Sequence, residues 1–222
     1  MLSSRLAPPS DLGKQSILWL AGLAAALVYL NLHPVSLLMP DSPGYIYFDA
    51  SRPVGYPFFL AVNKLFAGSY EFVGPVQIVM LALSSALVGS VVAHTTQRWT
   101  IAVVLEIGLL AYPALFKSAS AIGSDPLSIC LYLWFIASLF WFGARPSLRR
   151  YLPLCLIVFL GITVRPVSIA MVPGALAAGL YFLGLKSAIR SSGPILAAAI
   201  LGICITPAAN FFYTGALGPP RR

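Results

Sequence analysis

The sequence predicts an all-α fold: a polytopic membrane helical bundle of about seven transmembrane helices, with short interfacial helices in the first extracytoplasmic loop. Composition and spacing predict it. Of 222 residues, 59% are hydrophobic and 9% charged, at a mean hydropathy of +0.89, whereas soluble domains carry about a quarter charged residues. The charges also fall between apolar runs, and a run of about 20 such residues crosses roughly 30 Å of hydrocarbon. The alternating runs of about ten residues that mark a membrane β-barrel are not visible. Backbone in lipid must satisfy its own hydrogen bonds, so the runs read as helices.

The first span is expected over Ser16–Leu38. It follows Arg5 and Lys14, as a signal peptide would, but a signal's apolar core is only about 7–15 residues long. This run continues to Pro40-Asp41, so an uncleaved span is expected. Further spans are expected over Phe72–Ala93, Thr100–Phe116 (with Glu106 inside), Pro126–Ala144, Tyr151–Val164, Pro166–Leu185 and Pro194–Phe212. The rival parse fuses the fifth and sixth through Arg165, which would reverse the topology downstream. Residues 1–222 read as a single transmembrane module.

Charge placement sets the orientation. The N-terminus and the even connections hold Arg5, Lys14, Arg98, Arg145, Arg149, Arg150, Lys186 and Arg190, eight basic residues. The odd connections hold Arg52, Lys64, Lys117 and Arg165 beside Asp41, Asp49, Glu71 and Asp125, and Arg221 and Arg222 fall on the same side. Basic residues concentrate in cytoplasmic loops, so the N-terminus is expected inside. The net charge of +8 is spread over helix ends and not gathered in a patch, which argues against nucleic acid as a partner. Cys130, Cys155 and Cys204 show neither metal-ligand spacing nor an even disulfide set and read as small buried hydrophobes. His33 and His94 are lone histidines without a ligand cluster. Glu106 should be neutral, paired or cavity-facing.

The first loop, Met39–Glu71, is the longest connection, and its Pro57–Phe66 stretch predicts a short helix with Pro57 in the first turn. Three polar groups fall at the extracytoplasmic boundary. Asp41, held between Pro40 and Pro43, is placed to act as a general base or simply to mark a helix end. Asp125, in Ser124-Asp125-Pro126, reads as a second site acid or as part of an ordinary helix cap. Arg165 either faces an anionic partner or snorkels to the headgroups.

These segments resemble the GT-C superfamily of membrane glycosyltransferases, in the branch of protein mannosyltransferases and aminoarabinose–lipid A transferases. The likeness rests on Asp41-Ser-Pro-Gly-Tyr45 through Arg52-Pro-Val-Gly-Tyr56-Pro-Phe58, on Ser124-Asp125-Pro126-Leu127 and on Gly161-x-x-x-Arg165-Pro166, and spans about residues 16–213. It implies a polyprenyl-phosphate sugar as donor among membrane lipids and inverting transfer to an acceptor hydroxyl in a bacterial inner (plasma) membrane. It implies Asp41 as catalytic base and Asp125, Arg165, Arg52, Lys117, Tyr45 and Tyr56 as substrate-binding residues. Some relatives use a divalent metal, but no ligand set is visible here and no cofactor is expected. Members of the family are longer, often with a C-terminal extracytoplasmic domain, so the sequence is expected to hold the shared module alone, as a fragment, a short product or half of an assembly. The competing expectations are a non-catalytic membrane partner subunit and a small transporter or flippase for an anionic lipid-linked substrate.

Overall fold

A computed structural model of the chain describes residues 11–49 and 51–214. The expectations for Arg5, Arg221 and Arg222, and for the side chains of Lys186 and Arg190, lie outside the described residues. The architecture is all-α, with helices α1 (Asp11–Leu32), α2 (Ser42–Ile46), α3 (Gly55–Ala67), α4 (Val73–Thr96), α5 (Trp99–Leu110), α6 (Pro113–Ala119), α7 (Ser124–Ala144), α8 (Leu148–Val164), α9 (Met171–Leu183) and α10 (Leu185–Thr214). A 3-10 turn, Pro166–Ala170, leads into α9.

Among the described residues, five segments are long and apolar enough to cross a membrane: Gly13–Leu32, Val73–Thr96, Ser124–Ala144, Pro166–Leu183 and Ser192–Phe212. The bent pair α5 and α6 makes a sixth if it counts as one span. The chain is therefore a multi-pass membrane protein with five or six candidate spans. The expected seven included α8, whose 17 residues reach about 25 Å at 1.5 Å per residue.

Proline sets the other departures. The first helix stops at Leu32 and not at Leu38, because Pro34 follows at once and a residue before proline is pushed out of helical geometry. The remaining residues run extended, and Leu37 pairs with the strand-like residue Ala121, giving and accepting bonds of 2.8 and 2.9 Å with Ser120 and Ile122. The expected third span breaks at Tyr112, extended before Pro113, and its two parts differ by 55°. Arg165 is likewise extended (φ −152°, ψ 120°) between α8 and Pro166, which disposes of the fused fifth and sixth spans. Beyond it the chain doubles back, since Gly161 lies against Ser168 and Met171 while the Tyr151 hydroxyl donates to the Ala175 carbonyl at 3.0 Å.

Two cores share α7. Leu127, Leu131, Phe135 and Phe142 pack with α3, α8, α9 and α10, whereas Cys130, Leu133 and Ala137 pack with α1, α4, α5 and α6. These sets recur at three- and four-residue spacing, so one helix presents an apolar stripe to each side. In lipid, close backbone approach replaces hydrophobic collapse as the source of helix association. Gly22 supplies it on α1, since a Cβ there would stand 3.0 Å from the Ala82 carbonyl oxygen of α4. Trp134 adds a cross-helix bond from its indole N–H to the Ser84 hydroxyl, 2.8 Å long. Cys130 and Cys155 are buried as expected, but Cys204 is exposed on α10. Glu106 is buried against Gly89, with neither carboxyl oxygen hydrogen-bonded among the described residues.

Candidate functional site

The first loop folds back onto the entrance of α7. Ser42 begins this: its buried hydroxyl donates to the Ile122 carbonyl at 2.7 Å and accepts the Met39 N–H at 2.8 Å. Ser36 anchors the far end of the loop, bridging the Tyr70 and Glu71 carbonyls and accepting the Gly74 N–H at 2.7 Å. Asp41 therefore sits at the start of α2 on a backbone tied down on both sides. Its side chain does not cap the helix.

Arg52 returns to that carboxylate through a compact turn. Phe48 takes a left-handed conformation at φ 54°, a costly one for a bulky residue. The Asp49 N–H then donates to Gly44 and the Arg52 N–H to Asp49, both at 2.8 Å. The Arg52 side chain crosses Gly44, where a Cβ would stand 3.1 Å from Nε, and lies 4.9 Å over the Tyr45 ring. Its Nη2 donates to Asp41 Oδ1 at 2.8 Å, with the Asp41 side chain 70% exposed.

A second acid–arginine pair forms beside it. Gly123, and neither Ser124 nor Asp125, is the N-cap of α7, and no side chain caps that helix. Asp125 is thus free to accept a hydrogen bond from Nη1 of Arg165, across from the α8–Pro166 break. Both side chains stay about half exposed, at 54% and 45%. A guanidinium has five N–H donors, so Arg165 keeps donors for an oxyanion beyond its bond to Asp125.

Tyr45 lies between the first pair and the start of α7. Its hydroxyl meets the Ser124 hydroxyl at 3.0 Å while its ring carries Arg52 on one side. Tyr56 stands edge-on to Tyr45, with ring centroids 4.9 Å apart, and accepts a bond from the Gln77 amide at 2.9 Å. Tyr56 is wholly buried, and burial pushes its phenol well above the ordinary tyrosine range. Its surroundings make it a support for Tyr45. Lys117 is exposed on α6 and belongs to no ion pair among the described residues.

Near the Asp125–Arg165 pair lies an apolar cavity of about 470 Å³ lined from α3, α4, α7, α8 and α10, including Phe58, Phe59, Leu131, Trp134 and Phe159, with none of Asp41, Arg52, Asp125 and Arg165 in its lining. It reaches Leu127, Thr163 and Val164, within two residues of Asp125 and Arg165. Among the described residues no group of three His, Cys, Asp or Glu side chains could hold a metal ion. Ser42, Gln77 and Ser124 complete the site beside the expected residues, Ser42 and Ser124 from within the motifs quoted above. Gln77 carries a signal, as the one amide side chain in the expected span Phe72–Ala93. Comparison with family models, curated proteins and solved structures finds no match to this chain.

Proposed function

We propose that the chain is a glycosyltransferase that moves a sugar from a polyprenyl-phosphate donor to an acceptor hydroxyl at the extracytoplasmic membrane face. The observation that carries the reading is two acid–arginine pairs, Asp41–Arg52 and Asp125–Arg165, with an apolar cavity whose lining comes within two residues of Asp125 and Arg165. A lipid-linked sugar has the same division into charged head and long apolar tail. Ligand sites of this kind are mostly apolar, with a few convergent polar groups.

In this reading the isoprenoid tail enters the cavity and the phosphate takes the free donors of Arg165. Asp41 accepts the proton of the acceptor hydroxyl as its oxygen attacks the anomeric carbon. The bond from that carbon to the phosphate oxygen breaks, and polyprenyl phosphate leaves with the electron pair. Arg165 then stabilises the charge that develops on the leaving oxygen, the kind of preorganised term that dominates many catalysed transfers. Asp125 orients Arg165, Arg52 holds Asp41, and Tyr45 keeps the two pairs in register. The N-terminus lies in the cytoplasm, so the site faces the opposite compartment.

The test is transfer by the purified chain in liposomes from a panel of polyprenyl-phosphate sugars, followed as release of polyprenyl phosphate. Asp41→Asn should lower the rate by about 100-fold or more, the range of general acid–base catalysis, without loss of the folded protein. Wild-type transfer by that variant would remove Asp41 from the mechanism. The engagement of Asp41 by Arg52 favours one second reading, a non-catalytic subunit. Donor binding without transfer, equal in wild type and variant, would select it.

A further inference from the structure

At the opposite end of the bundle, three helix ends line a small, open pocket in which Lys14, His94 and Gln97 are exposed. Lys14 and Gln15 of α1, Ala93, His94 and Gln97 at the end of α4, and Trp99 opening α5 line about 50 Å³. By the same measure one water needs on the order of 10–15 Å³, so about four oxygen-sized atoms fit. That is the size of a phosphate group.

Five of the six lining side chains carry N–H donors. Ammonium, two primary amides, imidazole and indole each offer N–H groups, and no carboxylate lines the cavity among the described residues. Arg98, the residue before α5, adds charge beside it. The carbonyls ending α4 would ordinarily repel an anion here, but Gln97 occupies two of them. It adopts a left-handed conformation at φ 58°, its N–H donates to the Ala93 carbonyl at 3.0 Å, and its side-chain amide donates to the His94 carbonyl at 2.6 Å. The cavity lies where candidate spans begin and end, at the depth where tryptophan meets headgroups. Basic pockets between helices at that depth bind anionic lipid heads.

We propose that this cavity binds a phosphate group, supplied either by an anionic phospholipid headgroup or by free phosphate. The site is independent of the transfer reaction. The experiment titrates the full chain in detergent with phosphatidylglycerol and phosphatidylcholine and reads bound lipid by native mass spectrometry, with and without inorganic phosphate. Wild type should prefer phosphatidylglycerol, and Lys14→Gln should weaken that preference about fivefold, as one basic residue near a lipid surface does. Arg149→Gln, at the same end of the bundle but outside the cavity, should keep it, as should Lys14→Arg. Should Lys14→Gln fail to fold, Gln15→Glu places a carboxylate in the lining and should reduce binding likewise. Displacement by millimolar phosphate would identify free phosphate as the ligand, and persistence would identify the headgroup. Wild-type preference in the cavity variants, or equal losses in Lys14→Gln and Arg149→Gln, would overturn the proposal.

Discussion

Tyr45 is the residue on which the site's arrangement turns. Its ring supports Arg52 and its hydroxyl holds Ser124, so one side chain touches the first charged pair and the residue before Asp125. Replacing it with phenylalanine keeps the ring and removes the bond, a change of about 1 kcal/mol. Tyr45→Phe and Ser124→Ala should each lower the melting temperature by a few degrees, and the double variant should fall little further, since both remove the same interaction. Full additivity in calorimetry would show that the two hydroxyls act separately. At this scale the sequence was partly legible. The flanking prolines drew attention to Asp41, and the cost of a cation at membrane depth did so for Arg165. The partners of both stayed hidden, because Arg52 reaches Asp41 only through the turn at Phe48 and Asp125 is available only because Gly123 starts the helix. Local cap rules favoured Ser124 or Asp125 as N-cap, and the tertiary pairing overrode them.

Among the elements, α3 depends on a single small residue. A Cβ on Gly55 would stand 2.7 Å from the Thr163 carbonyl carbon and 2.8 Å from its oxygen, and backbone cannot step aside as a flexible side chain can. Gly55→Ala should therefore cost about 1–3 kcal/mol, as overpacking does, and should shift α3 away from α8 and the Arg165 break. Gly108→Ala is the control, since nothing lies within 4 Å of a Cβ there and alanine favours a helix over glycine by roughly 0.5–1 kcal/mol. Thermal melts of the two variants should move in opposite directions; a common direction would contradict the packing account. Helix existence was readable from hydropathy, and α4 and α7 begin and end close to their expected limits. The overlong first span and the continuous third span failed at Pro34 and Pro113, where apolar composition persists but the backbone turns.

For the whole molecule, α7 carries a core on each side, and the chain reverses at Arg165. The two charged pairs gather at one end and the Lys14–Trp99 cavity at the other. Single cysteines at the exposed positions Tyr47 and Lys117, in a background with Cys204 replaced, should label from the extracytoplasmic side of cells, and one at Arg149 only after permeabilisation. The opposite pattern would invert the orientation on which the proposed reaction rests. Hydropathy and charge asymmetry made the membrane class legible. The apolar cavity was not, because it is formed by residues from five helices distant in sequence.

Mapping the donor onto the protein tests the central claim most directly. A polyprenyl-phosphate sugar with a photoreactive group in its first isoprene units should crosslink to the lining of the apolar cavity, to Leu131, Phe159 and Phe58, and Arg165→Ala should reduce that yield about tenfold or more. Crosslinks spread over the outward faces of α1 and α10, unchanged by the Arg165 variant, would contradict the account.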